Sequence, residues 1–198
     1  MRKLLVILAL CSLLAPAAAL AQDAPTGVRG EILASMMDAG GKIQELAGAV
    51  PDAKYNWKPG KDVRSVGQVY LHVVAANYLI PSLIGAQPPM SMEELMKLDT
   101  QTMEPAKIRQ MLKESYESAS KAISAMPDSE LESQVELFGM KMSKRATLIL
   151  LASHSHEHLG QSIAYARANN VVPPWTAREL AEKKKKETEK KSAEKTGK

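Results

Sequence analysis

Residues 65–80 read SVGQVYLHVVAANYLI, and this stretch decides the fold class. Ser65 and Gln68 have the S-x-x-Q spacing of a capping box, in which two side chains pair with free backbone amides at a helix start. Apolar residues then recur at helical spacing, at Val66, Val69, Val73, Val74 and Ile80. Pro81 ends or bends the predicted helix near residue 80, because proline lacks the amide that an inner turn requires.

Three further segments have the same helical periodicity. They are residues 28–47, residues 105–126 with Pro105 at the first helical position, and residues 144–169. Asn170, Pro173 and Pro174 end the last of these helices. Gly40 and Gly41 fall in the middle of the first helix, where each glycine costs about 1 kcal/mol relative to alanine. We expect them to weaken or kink it.

Two long connections separate these helices, and both have internal patterns. Residues 81–104 contain a short predicted helix near residues 90–96. In residues 127–143, apolar and polar side chains alternate and Gly139 marks a turn, a pattern typical of a small hairpin. Four main helices with such crossovers predict an all-α fold, a four-helix bundle with a hairpin-like insertion before the last helix. Sites in such bundles form where facing helices project side chains inward.

The N-terminus has the pattern of a signal peptide over residues 1–21. Arg2 and Lys3 precede an apolar run over residues 4–14, and residues 19–21 read Ala-Leu-Ala, a cleavage signal. The apolar run is shorter than the roughly 20 residues of a transmembrane helix, so we expect export to the periplasm or beyond and no membrane span. Cleavage would remove Cys11, the only cysteine, which excludes disulfides, cysteine zinc sites and cysteine nucleophiles.

The net charge of +4 is unevenly distributed along the chain. Residues 22–178, the predicted bundle domain, carry −1, whereas residues 179–198 carry +3 from eight lysines and five glutamates. The latter segment is too polar to bury a face, so we expect a solvated tail, helical or disordered, that either has no partner or contacts anionic surfaces. Nucleic acid is not expected as a partner, because the predicted bundle is not basic.

The four histidines carry the chemistry of the chain. His154 and His158 have i, i+4 spacing, which places both imidazoles on one face of the fourth helix. His72 lies on the apolar face of the second helix, whereas His156 points about 200° away from His154. Three imidazoles from two helices predict a metal site with an open position for water. The alternative is packed histidines without a ligand role, and the lack of H-E-x-x-H argues against a zincin protease.

Several segments together resemble the DinB-like superfamily of helical-bundle metal proteins. They are Tyr55-Asn56-Trp57-Lys58-Pro59, Arg64 to Val69 leading to His72, His154-x-x-x-His158-Leu159-Gly160-Gln161, Tyr165-Ala166-Arg167 and Pro173-Pro174-Trp175. The resemblance covers about residues 28–176. It implies a four-helix bundle and a divalent metal, often nickel or zinc, held by His72, His154 and His158. Many relatives have arginine where this chain has Leu159, which puts an arginine-dependent substrate contact in doubt.

The resemblance does not fix the reaction, because characterised relatives include transferases and an isomerase that use low-molecular-weight thiols. Such thiols are cytoplasmic, so for an exported chain metal-assisted hydrolysis of an unidentified small molecule is at least as good an expectation. Asn77, Gln161 and Tyr165 are candidates to orient a metal ligand or its bound water. Glu157 is a candidate general base, although its helical position favours a flanking or solvent-facing place.

A non-catalytic metal-binding protein is the rival hypothesis. Met90 with Met92 and Met140 with Met142 resemble the thioether pairs that suit copper(I), although methionine more often fills gaps in a core. A third interpretation is a bundle that acts only through protein partners, with the tail as its contact. The sequence also leaves a homodimer open.

Overall fold

The computed structural model describes residues 25–196, so the predicted signal peptide lies outside the described residues. The described residues form six α-helices: α1 Gly27–Ala49, α2 Val66–Ser82, α3 Met92–Lys97, α4 Pro105–Ala125, α5 Lys144–Ala168 and α6 Pro174–Thr196. Strands β1 Gln134–Leu137 and β2 Met140–Ser143 form an antiparallel hairpin before α5. The prediction of an all-α bundle with a hairpin-like insertion is confirmed. In residues 25–196, no helix is both long and apolar enough to cross a membrane.

The long helices α1, α2, α4 and α5 enclose the core with crossed connectivity. Helix α1 packs against α5 and α4, and α2 packs against the same two helices. Therefore α1 and α2 lie diagonally opposite each other, and so do α4 and α5. The central side chains are fully buried, among them Met36, Ile43, Leu71, Leu112, Tyr116 and Leu151. This arrangement turns one face of α2 toward α5, which positions the histidine-bearing faces of both helices.

Local signals fix the starts of the helices. Ser65 accepts a hydrogen bond from the Gln68 amide, and the Gln68 side chain accepts one from the Ser65 amide, so the predicted capping box is present. Ser143 likewise accepts from the Ala146 amide and begins α5. Helix α2 continues to Ser82, so Pro81 lies within its last turn. Proline has no amide to donate to the carbonyl four residues earlier, so this turn lacks one backbone hydrogen bond.

The two glycines do not interrupt α1, which runs continuously from Gly27 to Ala49. A Cβ atom on Gly40 would lie 2.5 Å from Cε1 of Tyr116, a fully buried side chain of α4. Gly40 therefore permits the close approach of α1 to the Tyr116 ring. Gly41 faces open space, where a Cβ atom would have no neighbour within 4 Å. The sequence predicted the helix-propensity cost of these glycines, but it did not show that the Tyr116 ring requires a glycine at position 40.

Both long connections adopt the predicted kinds of structure. Buried Leu95 anchors α3, and a single 3₁₀ turn over Leu98–Thr100 follows and packs against α2. In the hairpin, Phe138 and Gly139 have φ angles of 49° and 80°, as in the tight turns that join paired strands. The first connection matters for the site, because its 3₁₀ turn carries Asp99 to the face of α2.

Helix α6 begins at Pro174 and runs across the boundary predicted between bundle and tail. Trp175 is half-buried and packs against the core, and Arg178 donates to the carboxylate of Glu45 on α1. From Glu179 to Ser192 the side chains are exposed. The segment from Glu179 to Ser192 is thus a solvated helix, and α6 contacts the bundle through Trp175 and Arg178, ahead of that segment.

Candidate metal centre

His72, His154 and His158 meet between α2 and α5. One ligand atom from each ring lies within 4.8 Å of the others. The ring centroids are 5.0 Å apart for His72 and His154, 4.8 Å for His72 and His158, and 4.4 Å for His154 and His158. The Nε2 atoms of His72 and His154 are 3.1 Å apart. The structure therefore brings together the three residues that the sequence proposed as ligands.

Asp99 orients the first of these rings. Its Oδ2 atom lies 3.0 Å from Nδ1 of His72 and also accepts from Arg64, with Nη2 at 2.6 Å. A carboxylate accepts only, so Nδ1 of His72 carries the proton and the lone pair of His72 is on Nε2, toward the other rings. A carboxylate behind a histidine in this way fixes the tautomer and raises the basicity of the ligand.

Gln161 orients the second ring. Its Oε1 atom accepts from Nδ1 of His158 at 2.8 Å, and its Nε2 donates to the hydroxyl of Tyr165 at 3.2 Å. The Tyr165 hydroxyl in turn donates to the backbone carbonyl of Arg64 at 3.3 Å. Trp57 packs edge-on against the Tyr165 ring, with centroids 5.4 Å apart. Because Nδ1 of His158 donates to Gln161, the lone pair of His158 is also on Nε2.

The third ring is held by burial. Nδ1 of His154 is buried and has no hydrogen-bond partner among residues 25–196. Burial, with a smaller effect of the neighbouring histidines and Arg64, lowers the pKa of His154 to about 3. The pKa of His72 is lowered too, first by burial and then by the Arg64 charge. Near neutral pH both imidazoles are uncharged, the form that binds a metal ion.

The donor set fits a divalent transition metal. Two nitrogens at about 2.0 to 2.1 Å from one tetrahedral ion lie about 3.3 Å apart. The 3.1 Å separation between Nε2 of His72 and Nε2 of His154 is close to that value. Imidazole nitrogen suits zinc, nickel, copper and iron better than magnesium or calcium. Three protein ligands also match the pattern of catalytic zinc sites, which keep one position for water or substrate.

An open cleft of about 560 Å³ lies beside the residues that support the histidines. Its walls include Asp99 and Gln161, the same residues that hold two of the rings. The other lining residues are Asp62, Val63, Arg64, Gln68, Thr100 and Tyr165. The volume is in the range of small-molecule sites, and the walls are polar and charged rather than apolar.

The predicted supporting residues separate into two groups. Gln161 and Tyr165 lie at the site, whereas Asn77 does not bond a histidine and instead donates to Ser115 on α4 at 3.1 Å. Asn77 follows His72 by five residues, so it lies on a different face of α2 from the one that meets α5. Glu157 is exposed, as its helical position predicted. His156 forms a hydrogen bond with Ser35 at 3.0 Å and is not one of the three clustered histidines.

Asp99 is the residue that the sequence analysis missed. It is 27 positions from His72, on a connection whose docking no local pattern reveals. The capping box at Ser91, which starts α3, was its only nearby signal.

The methionines of the two predicted pairs are partly or largely exposed. Met90 packs against the core while Met92 is 46% exposed, and Met140 on β2 is 55% exposed. This arrangement gives no support to a copper site built from Met90 with Met92 or from Met140 with Met142.

The sequence model of the DinB family matches residues 22–191 of the chain. The chain belongs to the DinB family. That match covers the bundle, all three site histidines and most of α6, so the resemblance inferred from the motifs is confirmed. No curated protein sequence has a significant match to this DinB protein.

Solved structures share the fold of this DinB protein at low identity. A DinB-like protein from Bacillus cereus ATCC 10987 has a TM-score of 0.63 and 20% identity, over 72% of this chain and 93% of that one. YfiT from Bacillus subtilis has a TM-score of 0.58 and 15% identity, over 73% and 89%. It is described as "a probable metal-dependent hydrolase with an unusual four-helix bundle topology". A conserved protein from Enterococcus faecalis has a TM-score of 0.58 and 14% identity, over 72% and 97%.

Proposed function

We propose that this DinB protein is an exported metal-dependent enzyme that hydrolyses a small polar molecule. The observation that supports it best is the convergence of the three imidazoles, with Nδ1 of His72 on Asp99 and Nδ1 of His158 on Gln161. Zinc or nickel is the proposed ion, held by Nε2 of His72, His154 and His158. A divalent ion there would lower the pKa of a bound water or thiol and so supply a nucleophile near neutral pH.

The residues around the histidines have separate tasks in this proposal. Asp99 and Gln161 hold two of the rings, and burial keeps His154 neutral. Arg64 directs Nε and Nη2 to Asp99, and 42% of its side chain is exposed at the cleft. We propose that it also binds a negatively charged or carbonyl oxygen of the substrate. Leu159, where many relatives have arginine, is buried, so Arg64 would take over such a contact.

Hydrolysis is proposed ahead of thiol transfer for two reasons. The N-terminal pattern predicts export, and the low-molecular-weight thiols of the related transferases are cytoplasmic. In addition, YfiT, which shares the fold, is described as a probable hydrolase. We also propose that the solvated tail of α6 contacts anionic surfaces, since its lysines between residues 183 and 191 are exposed. The proposal includes no nucleic acid partner.

Metal content is the first test. The purified protein should hold about one zinc or nickel ion, measured by elemental analysis, and the double variant His72→Ala/His154→Ala should hold none. His156→Ala is the matched control, since this histidine lies on α5 but bonds Ser35 on α1. Equal metal loss in the control, or full retention in the double variant, would refute the site.

Turnover is the second test. Ester, amide and phosphoester substrates should be assayed with the metal-loaded protein, with and without an added thiol cofactor. Turnover without thiol that disappears in His154→Ala supports hydrolysis. Turnover that requires the thiol would contradict hydrolysis and indicate thiol transfer. A metal-loaded protein that turns over no substrate of either class would favour the non-catalytic metal-binding hypothesis.

A further inference from the structure

A second group of metal-ligating side chains lies away from the histidines, around a cavity of about 340 Å³. Met90 comes from the connection before α3, Met103 from the connection before α4, and Met111 from α4 itself. All three line this one cavity. Tyr78, Pro89, Glu94, Leu98, Gln101, Lys107 and Glu114 complete its walls.

These methionines differ from ordinary core methionines. Met36 is fully buried in the bundle, whereas Met90, Met103 and Met111 are half-buried, with one side on the core and the other on the cavity. Each of them therefore keeps part of its surface on the cavity. Methionine has three rotatable bonds, so three thioethers around a small cavity can turn toward a common centre at low cost.

The charges at the cavity favour a cation over an anion. Glu94 and Glu114 contribute two carboxylates, and Lys107 is the single cationic side chain among the lining residues. Glu94 also caps α3 through Ser91, so its carboxylate is fixed in place. The phenol of Tyr78 stays protonated near neutral pH, because burial raises its pKa above the usual 10.

We propose that Met90, Met103 and Met111 form a binding site for a soft monovalent cation, copper(I) or silver(I). Thioether sulfur is a ligand that selects copper(I) over magnesium, calcium and manganese, which prefer oxygen. The site is separate from the histidine centre and uses only one of the four methionines that the sequence pattern paired. It forms where two parts of the connection over residues 83–104 and one side of α4 line the same cavity. Binding there involves no change of oxidation state.

The test is NMR on full-length protein labelled at the methionine ε-methyl groups, with the histidine centre first saturated with zinc. Silver(I) is the probe because it does not oxidise in air. We expect the signals of Met90, Met103 and Met111 to shift together and to saturate at one equivalent. The signals of Met96 and Met140, which are 54% and 55% exposed, should stay in place. Shifts confined to exposed methionines, or no shifts at all, would overturn the proposal.

Leucine variants give an independent measurement. Met103→Leu and Met111→Leu keep an apolar side chain of similar size and remove only the sulfur, so the fold should be retained. Each should weaken silver(I) binding by about tenfold, which corresponds to about 1.4 kcal/mol. Met96→Leu, on α3 but not among the lining residues, is the matched control and should bind as the wild type does. Wild-type affinity in both cavity variants would also overturn the proposal.

Discussion

The replacement Asp99→Asn tests how the metal centre is built. Oδ2 of Asp99 lies 3.0 Å from Nδ1 of His72, and only 15% of the Asp99 side chain is exposed. Asparagine keeps the size of the side chain and one accepting oxygen but removes the negative charge. The Asp99 charge raises the pKa of His72 against the opposing effects of burial and Arg64. Its loss leaves Nε2 of His72 less basic, so it becomes a weaker ligand.

The expected magnitude follows from the role of that contact. Removal of a group that hydrogen bonds behind a metal ligand costs about 10- to 100-fold in metal affinity. This range corresponds to about 1.4 to 2.7 kcal/mol. The assay is competition for zinc between the protein and a chromophoric chelator at neutral pH. Thermal unfolding of the metal-free variant, measured in parallel, separates loss of affinity from loss of fold.

Asp52→Asn is the matched control for this experiment. Asp52 also forms an ion pair with an arginine at 2.6 Å, Arg109, but it has no contact with a histidine. It should bind zinc with wild-type affinity. The reasoning is refuted if Asp99→Asn binds zinc as tightly as the wild type, or if the Asp52 variant loses as much affinity.

Three further predictions concern the bundle. Gly40→Ala should lower the free energy of unfolding by about 1 to 3 kcal/mol in urea denaturation, because its methyl group meets the Tyr116 ring. Gly41→Ala, in open space one residue later, should raise it by up to about 1 kcal/mol, and equal effects would contradict the packing argument. Ser65→Ala should cost about 1 kcal/mol in the same assay through loss of the α2 cap, and no change would contradict that role. In metal-free protein, the unfolded chain protonates His154 near pH 6.5 and the folded chain only near pH 3. The stability from this residue is therefore complete above pH 6.5 and is lost toward pH 3, with a slope of up to about 1.4 kcal/mol per pH unit. His154→Gln should flatten this dependence, measured by urea denaturation at several pH values, and an unchanged slope would assign it to other groups.

The helices were predictable because their signals are local. The capping box at Ser65, the cap at Ser143 and the proline at position 105 each lie within one turn of the helix start they specify. The i, i+4 spacing of His154 and His158 likewise follows from helix geometry alone. The meeting of His72 with the other two histidines was proposed from its place on the apolar face of the second helix, and the family resemblance implied the same three ligands.

The remaining features depend on contacts between distant segments. Gly40 was judged by its helix propensity, whereas its place in the structure is set by Tyr116, 76 positions further along the chain. Asn77 was proposed at the site because it follows His72 closely, yet its partner Ser115 lies on α4. Asp99 reaches His72 only because the connection over residues 83–104 folds back onto α2. Local patterns contain no information on such packing.

Arg64 links the hydrogen-bonded supports of His72 and His158. Its side chain bonds Asp99, which holds His72, and its backbone carbonyl accepts from Tyr165, which bonds Gln161 behind His158. The capping box at Ser65 fixes where α2 begins, so Arg64 stands directly ahead of the helix and His72 follows about two turns later. A shift in the start of α2 would move His72 and the Arg64 carbonyl together. The start of α2 thus affects both hydrogen-bonded supports of the centre, whereas Nδ1 of His154 has no hydrogen-bond partner among residues 25–196.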